Sequence, residues 1–145
     1  MRRLSGAMII LLIILSLFSI VFVINIPTVK AEINPPYDTG LGYWETNDTW
    51  TIQSTDPPIT HSNKTILVNG GITIQTGGKL TLDNVTLWMN YTPTLVKPII
   101  SVDGELIVKN ACLVTNYTTN TDRYEFKVQS GGSLTIQSST VENMG

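Results

Sequence analysis

An all-β fold of stacked coils is what this sequence predicts, and three observations predict it. A short phrase occurs three times, as GGKLTLDNVTL at 77–87, DGELIVKNACL at 103–113 and GGSLTIQSSTV at 131–141. The second residue of each copy is glycine, at Gly78, Gly104 and Gly132. Beyond residue 31 the chain has no sustained 3.6-residue apolar period, which argues against helices. These glycines are 26 and 28 residues apart. Repeats with a spacing of this size indicate one unit stacked on copies of itself, because a single unit cannot bury its apolar face alone.

Apolar residues at even distances from the repeated glycine predict strands with one buried face. Four residues before it stand Ile74, Ile100 and Val128; two after it stand Leu80, Leu106 and Leu134; four after it stand Leu82, Val108 and Ile136. Nine residues after it comes an apolar residue at an odd distance, namely Leu87, Leu113 or Val141. The chain must therefore change direction between the two parts of each copy.

The residue six after the glycine marks that change of direction. It is Asn84, Asn110 or Ser138, and such residues bend chains because their side chains bond the nearby backbone and Asn tolerates left-handed dihedrals. Each copy then consists of a strand, a corner and a second strand. A hairpin-built β-sandwich is the competing interpretation, since it also has short strands with frequent turns. The parallel solenoid is favoured because it explains why these three residues form a corner ladder at one offset.

The repeated phrase, in the form GGxLTIxNxxV, resembles the coils of right-handed parallel β-helix proteins, which are pectate-lyase-like solenoids. It is most similar to archaeal secreted and surface domains related to the copper-maturation and carbohydrate-binding group. The resemblance covers 63–145 and implies about three coils, and the stretch 48–69 is similar to the entry segment of such proteins. Members include polysaccharide-degrading enzymes, adhesins and surface-layer components, so the fold alone does not select a function.

The N-terminal part of the chain predicts export. Arg2 and Arg3 precede an apolar run at 8–24, and the Val29-Lys30-Ala31 sequence offers small residues where a signal peptidase reads. Residues 1–31 are therefore predicted to be a signal peptide, with an uncleaved membrane anchor as the alternative. Residues 32–62 contain prolines together with Trp44 and Trp50, and we expect a spacer and N-terminal cap there. Residues 63–145 are predicted to form the coils.

The C-terminal end of the sequence shows no comparable cap. Residues 141–145 follow the last repeat directly, without a polar terminal turn or helix. We therefore expect the solenoid to be incomplete at this end, as the front of a longer protein, with coverage by another chain as the alternative. An open end also predicts self-association, since unpaired strand edges are templates for pairing.

Charge and composition narrow the classes of partner. Residues 32–145 hold six basic residues against eleven carboxylates, a net charge of about minus five. Nucleic acid is excluded as a partner, because binding it needs clustered Lys and Arg. Cys112 is the only cysteine, so no intrachain disulfide can form, and we expect a small core residue there with an exposed thiol as the alternative.

No catalytic, metal or cofactor site is predicted. The sole histidine, His61, lies in the entry segment, and nothing in the sequence places it beside Cys112 as a nucleophile would require. Asp83 and Asp103 have the residue type of a glycosidase pair but do not share a register. The scarcity of His and Cys also argues against a copper or zinc site.

Loop residues supply the remaining candidates. The excursions at 88–97 and 116–125 carry candidate ligand-contacting aromatics, with packing over the strands as the alternative: Trp88, Tyr91, Tyr117 and Tyr124. Five sequons are available if the chain is exported and the organism glycosylates asparagine. Asn90 and Asn116 are preferred, followed by Asn47 and Asn63, whereas a glycan on Asn84 would collide with the corner ladder.

Taken together, these features predict a non-catalytic extracellular or cell-surface module with a structural or adhesive role, in contact with surface polysaccharide or other surface proteins. The alternative is the N-terminal part of a polysaccharide-active enzyme or carbohydrate-binding β-helix protein. Membrane contact is expected only through an uncleaved N-terminal segment.

Overall fold

The computed structural model describes residues 32–90, 97–118 and 123–145. These residues form twelve strands and no helix. The strands are β1 (Tyr37–Asp38), β2 (Trp44–Thr46), β3 (Trp50–Ile52), β4 (Ile59–Val68), β5 (Ile72–Ile74), β6 (Lys79–Met89), β7 (Ile99–Val102), β8 (Glu105–Lys109), β9 (Leu113–Asn116), β10 (Glu125–Val128), β11 (Ser133–Gln137) and β12 (Thr140–Val141). In this part of the chain there is no helix long and apolar enough to cross a membrane.

The strands stack in parallel as a β-solenoid of about three turns, which confirms the predicted fold class. The first face consists of β3, β5, β7 and β10. The second face consists of the first halves of β4 and β6, followed by β8 and β11. The third face consists of β2, the second halves of β4 and β6, then β9 and β12. The right-handed winding stays a prediction.

Two of the predicted core rows occur as expected. Leu80 lies beside Leu106, and Leu106 beside Leu134, on successive coils. One step further along the same strands, Leu82, Val108 and Ile136 form a second row. The side chains of the inner coils are buried, whereas Leu134 is half-buried and Ile136 is 46% exposed in the last coil. The core is therefore buried in the inner coils and becomes partly exposed in the last coil.

The row before the glycine has a different register from the predicted one. Ile74 lies beside Val102, which in turn lies beside Val128, while Ile100 pairs with Ile72. The middle turn is shorter, because only Asp103 and Gly104 separate β7 from β8. The register differs from the predicted one by two residues, and an even difference leaves a side chain on the same face of its strand. Ile100 therefore still points inward and is 1% exposed. The predicted placement of Ile100 was wrong, although its burial was predicted correctly.

The row after the corner also differs in the middle copy. Leu87 lies beside Val114, and Val114 beside Val141, so Val114 takes the place predicted for Leu113. The cause is an extra residue at the corner, where both Asn110 and Ala111 have positive φ, at 59° and 61°. A one-residue slip moves a side chain to the opposite face of a strand. Val114 is accordingly buried and Leu113 half-buried.

Close approach between coils explains the repeated glycine. A Cβ atom on Gly78 would lie 2.9 Å from the carbonyl oxygen of Ile52. Gly104 and Gly132 are crowded in the same way, by the carbonyl oxygens of Gly78 and Val102. Any side chain at these positions would push adjacent coils apart. Steric necessity thus accounts for the most regular feature of the sequence.

The predicted cap segment contributes strands of its own to the stack. β2 and β3 pair in parallel with β4 and β5, and the predicted boundary at 62/63 falls inside β4. Trp50 is fully buried at this end, and Trp44 packs against the core. The antiparallel strand β1 covers the outer edge of β2, and Ile33 bridges to Thr51 of β3. This arrangement satisfies the strand edges at the N-terminal end.

Candidate functional site

The corner ladder is a structural feature, and it is longer than predicted. Asn84, Asn110 and Ser138 have positive φ, and Asn63 joins them with φ of 54°. The Nδ2 atom of Asn84 donates to Oδ1 of Asn63 at 2.8 Å. Asn110 instead donates to Asp83 at 2.7 Å, because the extra corner residue shifts its side chain. The bend therefore favours residues that tolerate left-handed backbone, and the two asparagines also bond the preceding coil.

A second set of amides joins the coils where the third face ends. Asn90 donates through Nδ2 to Oδ1 of Asn69 at 2.8 Å, and Asn143 donates to Oγ1 of Thr115 at 2.8 Å. Asn69 also donates to the carbonyl oxygen of Thr46 at 2.9 Å. Stacked side chains of this kind satisfy one another where the backbone leaves the sheet. Sequence reasoning missed this ladder, because it singled out only the residue six after the glycine.

Cys112 occupies the core beside the corner, as expected. It is 2% exposed, and Sγ accepts the backbone N–H of Val85 at 3.2 Å. The thiol lies 3.3 Å from the carbonyl oxygen of Leu82 and 3.0 Å from that of Lys109, either of which can accept its proton. Such a buried, hydrogen-bonded thiol is inert rather than nucleophilic.

His61, Trp44 and Trp50 form a group at the N-terminal end of the solenoid, here called the N-terminal cluster. His61 pairs with Leu82 of the next coil, whose carbonyl oxygen contacts the Cys112 thiol. Its ring makes edge contacts with Trp50 at 5.2 Å and with Trp44 at 6.2 Å between centroids. Burial, followed by the positive charge of Lys64, lowers the pKa of His61 to about 4. The Nε2 atom is buried without a hydrogen-bond partner among the described residues. The neutral imidazole is therefore a half-buried side chain that packs against two indole rings.

Two further groups complete the N-terminal cluster. The ammonium of Lys64 lies 3.5 Å from the ring centroid of Trp44, within the range of a cation–π contact. The indole N–H of Trp50 donates to Oε2 of Glu32 at 3.0 Å. The pKa of Glu32 is raised by burial, and the charge of Asp56 adds to the rise, while the Trp50 hydrogen bond opposes it.

The candidate carboxylates are not brought together. Asp83 ends the first half of β6, whereas Asp103 lies in the turn before β8, at the opposite end of the second face. Asp83 accepts a hydrogen bond from Asn110 and pairs with Lys109 at 3.4 Å, and these contacts lower its pKa. The described residues contain no group of three or more His, Cys, Asp or Glu side chains that could hold a metal ion.

Two of the candidate aromatic residues meet on the third face. The rings of Trp88 and Tyr117 are 5.4 Å apart between centroids and tilted by 49°. Trp88 is half-buried, and Tyr117 is 52% exposed. Tyr91 lies outside the described residues. A tilted pair of rings of which one is exposed offers a surface on which an apolar face of a ligand can dock.

Tyr124 does not belong with the ligand-contacting residues. It is fully buried, and its hydroxyl donates to the carbonyl oxygen of Val114 at 3.4 Å. Burial raises the pKa of this phenol, and the charge of Glu142 adds to the rise. The backbone of Tyr124 also accepts a hydrogen bond from Gly145 at 3.1 Å. The residue therefore packs over the strands as part of the core.

Exposure changes the order of preference among the sequons. Asn90 and Asn116 are half-buried, and the amide nitrogen of Asn90, to which a glycan would be attached, bonds Asn69. Asn47 and Asn63 are exposed. If the chain is glycosylated, the geometry favours Asn47, because Asn63 already accepts a bond within the ladder.

A groove of about 490 Å³ runs along the outer surface of the first face. Its lining includes one polar column, since Thr73, Ser101 and Lys127 lie beside one another on β5, β7 and β10. Gln129 closes one side and donates to Oγ of Ser101 at 3.5 Å. Asp48 and Lys97 also border the groove.

Sequence reasoning did not identify this groove. Its residues lie on or beside the four strands of the first face and outside the repeated phrase, so no single stretch of sequence reveals it. The only local signal is the pair Gly70-Gly71, which is not part of the repeat.

Comparison of the chain with known families, curated proteins and solved structures yields no match. The features that bear on function are therefore the three geometric ones described above: the ladders between coils, the Trp88–Tyr117 pair and the groove on the first face.

Proposed function

We propose that the chain is a non-catalytic β-solenoid module of an extracellular or cell-surface protein, with a structural or adhesive role and contacts to surface glycans. The membership of the right-handed β-helix family is part of this proposal. The observation that carries it is that polar side chains bond neighbouring coils to one another. Asn84, Asn90 and Asn143 bond neighbouring coils, and Lys79 pairs with Glu105 at 2.8 Å across the second face.

Side chains engaged in this way hold coils in register and are not available for reaction chemistry. Catalysis by paired carboxylates needs two such groups held at a defined separation, and the described candidates Asp83 and Asp103 stand at opposite ends of a face. The outward surface is instead rich in hydroxyls and amides, which suit contacts with hydroxylated ligands. The Trp88–Tyr117 pair adds an aromatic surface for the same class of ligand.

Export and catalysis can be tested in one experiment. The full chain and a version lacking residues 1–31 are expressed in an exporting host, and intact cells and medium are probed with an antibody and with added protease. We expect the full chain outside the cell membrane and the shortened chain inside. Retention of the full chain inside the cell would overturn the surface function.

The same exported material is then incubated with a panel of polysaccharides. We expect retention of the protein on one or more of them without release of new reducing ends or unsaturated products. Product release that scales with protein concentration would favour the polysaccharide-active enzyme instead.

A further inference from the structure

We propose that Asn69 is a conditional deamidation site: the folded chain protects its side-chain amide, and opening of the turn at 69–71 exposes it to conversion into aspartate or isoaspartate. This turn connects β4 to β5, next to the coil that contains β2 and β3. The inference goes beyond the structural and adhesive role proposed above and does not depend on it.

The sequence at this turn is chemically labile. Asn69-Gly70 is the only Asn-Gly pair in the chain. Asparagine is thermolabile, and a following glycine has no Cβ atom to hinder the approach of its backbone nitrogen to the asparagine side chain. After hydroxide removes its proton, the Gly70 nitrogen attacks Cγ of Asn69. The bond from Cγ to Nδ2 breaks, and ammonia leaves with a proton taken from water. Water then opens the cyclic imide at either carbonyl, which gives aspartate or isoaspartate.

In the folded chain both polar atoms of the Asn69 side chain are bonded to other residues. Its Nδ2 atom donates to Oε1 of Glu45 and, at 2.9 Å, to the carbonyl oxygen of Thr46. Its Oδ1 atom accepts from Nδ2 of Asn90 at 2.8 Å. Ring closure requires the side chain to turn towards Gly70 and away from these partners. The turn must therefore open before the reaction occurs.

The main chain at this turn has no room for the isoaspartate product. A Cβ atom on Gly70 would lie 2.6 Å from the backbone nitrogen of Thr49, and one on Gly71 would lie 2.6 Å from the carbonyl oxygen of Ile99. The turn is thus held between neighbouring coils, without space for an added atom at these positions. Isoaspartate inserts a methylene group into the main chain, because the chain then runs through the former side chain. It therefore keeps the turn from closing in register.

The aspartate product opposes closure for an electrostatic reason. The oxygen that replaces Nδ2 faces the carboxylate of Glu45 and the carbonyl oxygen of Thr46, to which Nδ2 donates in the unreacted chain. Two hydrogen bonds are lost, and two carboxylates of like charge are brought together. Because either product keeps the turn open, a reaction during one opening leaves a permanent change.

The test follows ammonia loss at Asn69 by peptide mapping with mass spectrometry, on the purified chain kept at neutral pH. In native buffer the loss should be at least about tenfold slower than in urea, because the reaction follows the small open fraction. Asn90→Ala removes the bond to Oδ1 and should speed the loss in native buffer by about two- to tenfold, the factor that corresponds to one hydrogen bond. Glu45→Ala removes a bond to Nδ2 and should act to a similar extent, so the result does not depend on one variant.

Asn84→Ala is the matched control, because it breaks a similar bond between two amides, to Asn63, away from the turn. It should leave the rate of ammonia loss in native buffer unchanged. Equal rates in native buffer and in urea would overturn the protection by these contacts. So would Asn90→Ala and Glu45→Ala chains that react as the unaltered chain does. An Asn84→Ala chain that reacts as fast as the Asn90→Ala chain would overturn the role of the turn, since the opening would then be that of the whole solenoid.

Asn69→Asp tests the consequence of the reaction. Hydrogen exchange followed by mass spectrometry should be faster by about tenfold or more in β2 and β3, which pair with the two strands that the turn connects. Exchange in β8 should stay as it is in the unaltered chain. If β2 and β3 exchange equally in both chains, aspartate does not hold the turn open, and the permanent effect of the reaction is overturned.

Discussion

The thiol sulfur of Cys112 accepts the backbone N–H of Val85 from the preceding coil, at 3.2 Å. One coil later, the hydroxyl of Ser139 does the same for the N–H of Cys112, also at 3.2 Å, and donates to the carbonyl oxygen of Gln137. A short polar side chain just after the corner thus accepts a hydrogen bond from a backbone N–H group that lacks a strand partner because the chain bends there. Cysteine and serine are physically equivalent solutions to one problem, which is to cap a buried N–H group.

This relationship predicts a specific order of stability among Cys112 variants. Cys112→Ala leaves the N–H of Val85 without its acceptor and should lower the free energy of unfolding by about 1–2 kcal/mol. Cys112→Ser should cost less, because its hydroxyl can accept from Val85 and donate to Leu82 or Lys109. Urea unfolding of the purified chain measures both. A serine variant that is less stable than the alanine variant would contradict the capping role.

The core row at Leu106 gives the second prediction. Leu106 is 3% exposed between Leu80 and Leu134, so Leu106→Ala should destabilise the chain by about 2–5 kcal/mol through lost burial and a cavity. Ile107→Ala is the matched control, because its half-buried side chain points outward from the same strand, and it should cost less. A loss below about 0.5 kcal/mol for Leu106→Ala would show that the row is not buried as described.

Local sequence information was sufficient for the coils and insufficient for their exact register. Leu80, Leu106 and Leu134 follow the glycine within one strand, so counting from Gly78, Gly104 and Gly132 placed them correctly. Ile100 and Leu113 lie across a turn or a corner from that glycine. Their registers depend on the length of the connection, which differs between the copies, and the repeat itself does not reveal which copy is shortened or extended.

The candidate site is formed by contacts between coils, and these contacts cannot be predicted from residue spacing along the sequence. Tyr124 and Tyr117 lie in the same excursion, yet one is fully buried and the other is 52% exposed. The groove needs Thr73, Ser101 and Lys127 to coincide on three coils, and this coincidence follows from the corrected register of the first face. The sequence alone does not show which outward-facing residues of these three strands lie side by side.

The corner ladder predicts different effects for two substitutions of Asn84. This residue has φ of 53° and bonds Asn63, so Asn84→Ala loses the hydrogen bond and places in left-handed backbone a residue that tolerates it less well than asparagine does. We expect a cost of about 1–2 kcal/mol. Asn84→Gly should cost less than Asn84→Ala, since glycine adopts positive φ readily. Thermal unfolding separates the two, and equal losses would show that the backbone conformation contributes nothing.

His61 predicts a loss of stability on mild acidification. Its folded pKa is lowered to about 4, so the unfolded chain binds the proton more tightly. The stability from the neutral ring is fully present above pH 6.5 and is lost as the pH falls from 6.5 towards 4. The loss should be roughly 1–2 kcal/mol, because solvent screens a partly exposed ring.

Glu32 acts in the opposite sense, so a variant is needed to isolate the histidine. The raised pKa of Glu32 favours its neutral form in the folded chain, which offsets part of the acid loss. His61→Leu matches Leu82, its neighbour on the next coil, and keeps Glu32 unchanged. Unfolding free energies of both chains from pH 7 to pH 4 should diverge as the pH falls. Parallel curves would show that His61 is not the titrating group.

The C-terminal end of the 145-residue chain should self-associate. β10, β11 and β12 pair on one side with β7, β8 and β9, and the inward side chains of Val128 and Ile136 are 44% and 46% exposed. β11 carries no charged residue, whereas the equivalent positions of β6 and β8 carry the ion pairs Lys79–Glu105 and Asp83–Lys109. A neutral strand edge beside exposed apolar groups is a template for another chain. Sedimentation should therefore show association that rises with concentration.

A lysine on the free edge should suppress this association, because charged edge residues block strand addition. Thr135→Lys places that charge on β11. Thr81→Lys is the matched control, since Thr81 occupies the same row on β6, where both edges are already paired. The Thr135→Lys chain should sediment as a monomer at concentrations where the unaltered and Thr81→Lys chains associate. If the unaltered chain is monomeric at all concentrations, the β11 edge does not act as a template; if both variants become monomeric, the association does not pass through it.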